Sequence, residues 1–514
     1  MSDYGLLSLV PPIIAIILAL KTKKTLLSLF FGVWVGATII SGYNPLVGFT
    51  KIVSDFMVPA IGNAYNGGML LLVTLAGGFV YMLRITGAAE AFAQIATKKI
   101  DTPKKAQVVT WASAFIFSYT EPCLILGTIM RPITDKVRVS RAKLAYILDS
   151  MGCNLASFSP ISSYGPFIAG LIATQLAAAA IEGNEWSIYL QMFPFNLYGL
   201  FAMITVLVVA VTGMDLGPMY KEEKRARETG KLLPDGVEPI VAESKTNLPV
   251  GYNLTIKNFI IPMASLFIAI FATIFWSGDI VTNGLRGSFV NANITLAISM
   301  GFIVGGVGAA VVGMTTGLFK FTDGFDGFIK GMEELIMVPF ILVLAWSMGG
   351  VTSAMGVGGF LSEVVQNYLT GGLVPALIFL FGAMISFATG SSWGVWAIMM
   401  PIAIPMAISF NIPIPYVVGA VIGGGLFGDQ CSPISDTTIM SSTGAACNHI
   451  VHVSTQLFYG VTVGVAAFIG FLFGGLTGQY YLSIIITGAV LTGLLIIANK
   501  LSMSRDFSLK EQHN

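Results

Sequence analysis

The sequence predicts an all-α polytopic membrane protein with two inverted-topology repeats, broken helices and re-entrant hairpins. Three observations favour this fold class. Hydrophobic residues make up 55% of the 514 residues and charged residues only 10%, a balance typical of proteins that lie in a bilayer. Several apolar runs are long enough to cross a membrane. Short motifs also recur in the same order in the two halves of the chain, as expected of a duplicated membrane unit.

Nine segments have the length and apolar content of ordinary membrane helices. They lie near 4–20, 26–43, 67–86, 188–213, 258–277, 292–316, 335–350, 456–475 and 480–499. The first has neither a basic n-region nor a cleavage site, so we expect a retained helix and not a signal peptide. Four more apolar segments are crowded with Gly, Pro, Ser and Thr, which favours broken helices or hairpins: 107–131, 144–181, 373–408 and 416–446. The total is about 11–13 membrane segments.

These segments divide the chain into two membrane parts and two soluble pieces. Residues 1–213 form the N-terminal membrane part with repeat 1 at about 26–181, and residues 258–500 form the C-terminal part with repeat 2 at about 292–446. The charged connector 214–257 and the tail 501–514 should be cytoplasmic, because Lys and Arg favour the inner side of the cell membrane.

The internal repeat consists of matching strings at offsets that differ only by loop-sized insertions. GFTKIVSDFMVP (48–59) resembles GFIKGMEELIMVP (327–339), LGTIMRP (126–132) resembles VWAIMMP (395–401), and SPIS occurs at 159–162 and 432–435. Lys and Arg flank both ends of the first hairpin candidate, whereas 352–413 contains neither. The copies are therefore predicted to be inverted, with their hairpin tips meeting near the midplane around a substrate site.

Two carboxylates in the second repeat indicate ion transport. No Lys or Arg lies between Lys330 and Lys500, yet the segment GDQCSPISDTT (428–438) contains Asp429 and Asp436. Such carboxylates are costly in hydrocarbon unless they bind a cation or a proton. Pro433 lacks an N–H and disfavours helix at Ser432, which frees backbone carbonyls. We expect a sodium site of hard oxygens at Asp429, Asp436 and Ser432, completed by Ser435, Thr437 and Thr438. Alternatively, Asp436 only caps a half-helix.

The matching break in the first repeat, DSMGCNLASFSPISSYG (149–165), offers a second set of oxygens. Its candidate ion ligands are Asp149, Asn154, Ser159 and Ser162. Alternatively, Asp149 forms a salt bridge with Arg141 or Lys143 near the cytoplasmic end of its helix.

The predicted hairpin tips, SYTEPC (118–123) and ATGSSWG (388–394), are candidate substrate contacts. Glycines permit tight bends and hydroxyls can bind a solute, which singles out Thr120, Glu121, Thr389, Gly390, Ser391 and Ser392. Glu121 can carry a proton, bind a cationic group of a substrate or pair with Arg84. Trp393 is expected to pack more than to bind.

Histidines, cysteines and net charge bear on the remaining classes of function. His449 and His452 are spaced for metal binding or pH sensing, although interfacial histidines without such a role are common. The four cysteines lack zinc-ligand or disulfide spacing and should be apolar fillers. A net charge of +1 excludes a nucleic-acid partner. We expect no cofactor and no enzyme activity, because no nucleophile/base pair or metal-ligand set falls at membrane depth.

Segment 428–453, GDQCSPISDTTIMSSTGAACNHIVHV, and ATGSSWG together resemble the NhaC-type sodium/proton antiporter family of inverted-repeat carriers. Gln430 stands where related sequences often have His. The resemblance implies sodium/proton exchange and homodimers in which a transport domain moves against a scaffold. The family also includes carriers of organic solutes such as malate, lactate or amino acids.

The leading hypothesis is secondary exchange of sodium for protons, with Asp429 and Asp436 as the main carboxylates. The first alternative is sodium- or proton-coupled transport of a small organic acid or amino acid. A channel fits less well, because broken helices in inverted copies suit alternating access better than a continuous pore.

Overall fold

The computed structural model describes residues 4–22, 24–62, 64–88, 91, 100–116, 122–237, 254–356, 360, 370–433 and 435–511. Within these ranges the regular structure is entirely helical. The first half contains α1 (Val10–Thr22), α2 (Thr25–Ile40), α3 (Pro45–Gly62), α4 (Ala64–Ile85), α5 (Pro103–Ile116), α6 (Pro122–Lys136), α7 (Arg141–Ala156), α8 (Tyr164–Ala178), α9 (Glu185–Gln191), α10 (Leu197–Thr212) and α11 (Pro218–Thr229).

The second half begins after the part of the connector that is described. It contains α12 (Lys257–Ser277), α13 (Ile280–Asn291), α14 (Ile294–Thr315), α15 (Phe321–Glu334), α16 (Met337–Ala354), α17 (Val374–Thr389), α18 (Ser392–Ser409), α19 (Ile414–Cys431), α20 (Asp436–Gly444), α21 (His449–Thr477) and α22 (Leu482–Glu511).

The helices make this chain a polytopic membrane protein. Among the described residues, 9 helices are long and apolar enough to cross a bilayer. Several details differ from the sequence prediction. The predicted spans 4–20 and 26–43 contain shorter apolar helices, Gly5–Ala15 and Leu26–Ile40. The segment 188–213 is not one helix, because Pro194 lies in a short 3₁₀ turn and Asn196 then caps a new helix by accepting the Gly199 N–H at 3.1 Å. Helix α3 was not among the predicted spans. It has the lowest mean hydropathy of the nine, 1.2, and carries the Lys51–Asp55 ion pair.

The two repeats pack on each other in a reciprocal way. Helices α5 and α6 form the first helical pair and α17 and α18 the second, while α7/α8 and α19/α20 are the two broken helices. Helix α6 of the first pair packs on α20 of the second broken helix, and α18 packs on α8 of the first. A helix of each pair therefore packs on a broken helix from the other half of the chain, as expected of two intertwined repeats.

Glycines allow the closest approach in this core, where α19 crosses α17. A Cβ on Gly428 would lie 2.3 Å from the Phe387 nitrogen, and one on Gly424 would lie 2.5 Å from the Phe379 oxygen. Four residues separate these two glycines, so they lie on one face of the helix and let two backbones meet. The contact brings the end of α19 against the tip of the second hairpin.

The connector contributes a polar helix to the core instead of a solvated loop. Helix α11 packs on α7 and α21. The buried Lys143 Nζ of α7 donates to Asp215 Oδ1 at 2.5 Å, and Arg227 binds the other Asp215 oxygen. Glu223 accepts the Ser140 N–H at 2.8 Å at the start of α7. Burial raises the pKa of Glu223, and the nearby Lys143 partly offsets this shift.

Candidate functional site

Hydroxyl groups surround the carboxylate of Asp429, which is 1% exposed in the last turns of α19. Ser392 donates to Oδ2 at 2.7 Å, Ser435 donates to Oδ1 at 2.5 Å, and Thr437 lies 3.3 Å from Oδ1. The three hydroxyls come from α18, the break after α19, and α20. The arrangement thus joins the second hairpin to the second broken helix through one carboxylate.

The break itself follows from Pro433, which cannot donate to the carbonyl of Asp429. Ser432 N–H contacts that carbonyl at 3.3 Å, and the Thr438 hydroxyl lies 3.5 Å from it. Ser435 caps α20 by accepting the Thr438 N–H at 3.5 Å. The alternative that Asp436 caps this half-helix is therefore wrong, because Asp436 is the first helical residue. The structure does not describe the Asp436 carboxylate. Ser432, another predicted sodium ligand, is fully buried beside the break.

The tip of the second hairpin delivers Ser392 to this shell. Gly390 has a left-handed φ of 69° and ends α17, and Ser391 caps α18 through Gly394. Thr389 donates instead to the Ile385 carbonyl of its own helix at 2.9 Å. Trp393 packs edge-on against Tyr164 and Phe167 of α8, which agrees with a packing role. The predicted tip residues Thr120 and Glu121 lie outside the described residues.

The first repeat places Asp149 next to this shell. Asp149 is fully buried in α7, and its Oδ2 accepts from Gln456 Nε2 at 2.6 Å. The hydroxyls of Thr437 and Thr438 also lie beside it, and its charge acts on that of Asp429. The alternative ion pairs with Arg141 or Lys143 are not formed, since Arg141 pairs with Asp135 and Lys143 with Asp215. Arg84, a predicted partner of Glu121, binds Glu334 at 2.6 Å.

Two glutamines that the sequence did not single out as site residues connect the breaks. Gln430 Oε1 accepts from Asn154 Nδ2 and from the Tyr198 hydroxyl, each at 2.9 Å, while its Nε2 donates to Ser150 at 2.7 Å. Gln456 Nε2 also donates to the Gln430 carbonyl. The sequence gives little indication that Gln456 belongs to the site, because it is a single amide residue at the start of the predicted span 456–475. Asn154, a predicted ion ligand, uses its amide nitrogen in the bond to Gln430, and its buried Oδ1 has no hydrogen-bond partner among the described residues.

The other predicted residues have structural contacts. Ser162 donates to the carbonyls of Ala156 and Ser159, at 2.6 and 2.9 Å, and so shapes the first break; Ser159 lies in the same turn and is nearly buried. His449 and His452 each contact Ser442, with their Nδ1 atoms at 3.1 and 2.8 Å from its hydroxyl. No cluster of three or more His, Cys, Asp or Glu suited to a metal occurs among the residues described.

Broken helices from the two halves of the chain that pack on one another, with a buried carboxylate ringed by hydroxyls, are typical of secondary transporters built from inverted repeats. Residues 155–476 match the profile of the Na⁺/H⁺ antiporter family. The chain belongs to this family, which confirms the resemblance found in residues 428–453 and indicates secondary antiport.

Similar proteins support the assignment at different ranges. An uncharacterized protein of Haemophilus influenzae is 32% identical over 484 residues, 91% of both chains. The malate-2H⁺/Na⁺-lactate antiporter of Bacillus subtilis is 28% identical over 197 residues, which cover 36% of this chain and 40% of the relative. In fold, the crystal structure of the YdaH transporter of Alcanivorax borkumensis is similar with a TM-score of 0.55 at 14% identity, covering 83% of this chain and 87% of that one.

Proposed function

We propose that the protein exchanges intracellular sodium for external protons by alternating access, with Asp429 holding the two ions in turn. The observation that carries this proposal is the shell of three hydroxyls, from Ser392, Ser435 and Thr437, on one buried carboxylate. Sodium prefers such hard oxygens, and the hydroxyl groups can turn their lone pairs toward a cation. A proton on Asp429 would satisfy the same site with hydroxyl-to-carboxyl hydrogen bonds.

Coupling follows from the single charge of this carboxylate. One monovalent cation neutralises the Asp429 carboxylate, so sodium and a proton compete for it, and a neutralised carboxylate moves more cheaply through a low-dielectric region than a charged one. Because the shell draws on α18, α19 and α20, an ion in it holds the hairpin tip against the broken helix. Without an ion, the shell lacks this link and keeps its negative charge. It then favours neither closure of the hairpin tip on the broken helix nor movement of the site through the membrane.

Sodium-driven proton movement in proteoliposomes with a lumenal pH dye tests the proposal. We expect a sodium-dependent pH change with the wild-type protein and none with Asp429→Asn, which keeps the size and removes the charge. Asp279→Asn is the matched control, because Asp279 is an exposed helix cap that binds the Thr282 N–H at 3.2 Å and Asn caps equally well. An active Asp429→Asn variant would overturn the assignment of the ion site.

A second candidate is exchange of a small organic acid or amino acid on the same framework. The similarity to a malate-2H⁺/Na⁺-lactate antiporter over 197 residues favours it. If neither sodium nor lithium moves protons, uptake of labelled malate, lactate and amino acids into the same vesicles becomes the decisive assay. Saturable uptake of one of these solutes that requires Asp429 would identify solute exchange, and not sodium/proton exchange, as the function.

A further inference from the structure

Gln456 lies outside the two broken helices, and its side chain bonds to both of them. It lies on α21 and is 1% exposed. Its Nε2 donates to Asp149 Oδ2 in the first repeat at 2.6 Å and to the backbone carbonyl of Gln430 in the second. Gln430 is the neighbour of Asp429. A single amide therefore ties the carboxylate of one repeat to the helix end that carries the carboxylate of the other.

The surrounding groups fix which way this amide points. Both partners of Nε2 are acceptors, so the nitrogen must face them and Oε1 must face the other way. Oε1 lies 3.0 Å from His452 Nε2, which then has to donate. His452 Nδ1 lies 2.8 Å from the Ser442 hydroxyl, which also donates to the Thr438 carbonyl at 2.8 Å. A flipped amide would set its oxygen against the Asp149 and Gln430 acceptors at one end and its N–H donors against the donating His452 Nε2 at the other.

This arrangement leaves Asp149 half satisfied. Oδ2 has the amide and lies 3.9 Å from His452 Nε2, whereas the buried Oδ1 meets no donor at hydrogen-bond distance in the described part of the structure, although the hydroxyls of Thr437 and Thr438 lie beside the carboxylate. A buried carboxylate oxygen without a donor is costly. The donor is neutral, so it orients the carboxylate without cancelling its charge. A Lys or Arg in its place would form a permanent ion pair and compete with any transported cation.

We propose that Gln456 is a positioning residue for exchange, which holds Asp149 by one oxygen so that the other faces the ion site beside Thr437 and Asp429. This inference rests on the proposed function. Asp149 then adds a second negative charge close to the Asp429 shell and raises its affinity for sodium. The His452–Ser442 pair serves as the support that keeps the Gln456 amide in orientation.

The first test is Gln456→Met, which keeps the length and apolar volume but removes both N–H donors. In proteoliposomes, the apparent KM for sodium should rise about tenfold, the loss expected for one hydrogen bond to a charged group. The maximal rate should stay within about twofold of wild type, since Asp429 and its hydroxyls are intact. Gln175→Met is the matched control, because Gln175 is 3% exposed on α8 and lies in no contact with either carboxylate that the structure describes; its KM should not change.

The isosteric Gln456→Glu variant separates positioning from folding. It replaces donors by acceptors and repels Asp149, so at alkaline pH it should behave like the Met variant. As pH falls, its protonated carboxyl can donate again, and the sodium KM should return toward the wild-type value, whereas the Met variant should show no such recovery.

Three outcomes decide between the ideas. If the wild-type protein is active and both Gln456 variants have its KM for sodium, the positioning role is wrong and the proposed function is unaffected. A loss of folded protein that lowers the maximal rate at unchanged KM in both variants would assign Gln456 to stability and overturn the inference. Absence of sodium-driven proton movement in the wild-type protein would overturn the proposed function and this inference with it.

Discussion

Gly428→Ala tests whether the close crossing of α17 and α19 sets the geometry of the ion site. The added methyl would lie 2.3 Å from the Phe387 nitrogen, 2.4 Å from Ser386 Cβ and 2.6 Å from the Ala383 oxygen. Two of these atoms are backbone, so no rotamer change relieves the overlap. Ordinary carbon contacts need about 3.5 Å or more, so α17 must retreat by roughly 1 Å.

The retreat of α17 would lower the stability of the protein and change the geometry of the ion site. Overpacking of a tight core costs about 1–3 kcal/mol. The hairpin tip follows α17, and the Ser392–Asp429 hydrogen bond of 2.7 Å would stretch beyond hydrogen-bond range with the same shift. We expect a melting temperature lowered by a few degrees in detergent and a sodium KM raised about tenfold, the change expected when one hydrogen bond to a charged group is lost.

The control is Gly493→Ala on α22, where an added Cβ meets nothing within 4 Å. Alanine has the better helix propensity by about 0.5–1 kcal/mol, so this protein should melt at or slightly above the wild-type temperature and keep its KM. Equal melting temperatures and KM values for Gly428→Ala and wild type would refute the argument from the crossing.

Three further predictions concern single contacts. Lys143→Met leaves the buried Asp215 with only the half-exposed Arg227 as its cation. The free energy of unfolding should fall by about 3 kcal/mol. The double variant Lys143→Met/Asp215→Asn should lose less than the sum of the two single losses. Ser392→Ala should raise the sodium KM and lower the melting temperature by a few degrees, because it removes a buried donor to a buried carboxylate oxygen. Since burial raises the pKa of Glu223 above 4.5, the native protein loses stability as pH rises through that raised value, and Glu223→Gln should flatten this decline in melting temperature. An equal decline in both proteins would contradict the last prediction.

The sequence predicted the fold well because its signals are local. Apolar length locates the spans, and clusters of Gly, Pro and Ser locate the breaks at 157–163 and 432–435, as the helices observed there confirm. The segment 188–213 was misjudged because one apolar run continues through a turn that Pro194 and Asn196 impose. Helix α3 was missed because its polar residues lower its hydropathy, while its exposed apolar side chains give it the length of a span.

The site could be predicted only in part, because its members come from distant elements. The hydroxyls of Ser435 and Thr437 lie in the same motif as Asp429, so their proximity follows from short spacing. Ser392 was named as a tip residue and not as a ligand, since only the packing of α18 on α19 brings it to Asp429. Gln456 lies outside every motif, and Gln430 lies in the segment 428–438 without a predicted role. Their roles arise from hydrogen bonds between residues far apart in sequence, which composition does not encode.

Charge separation along α7 explains why a neutral amide can hold Asp149. The same helix carries Arg141 and Lys143, about 9–12 Å of helix rise from Asp149, and either cation would compete with a transported ion if it could reach that carboxylate. Each is held at the end of the helix by an acidic residue, Asp135 for Arg141 and Asp215 of the connector for Lys143. The buried ion pair with the connector holds Lys143 at that end of the helix. We infer that it thereby keeps a lysine away from the proposed ion site and leaves Asp149 to Gln456.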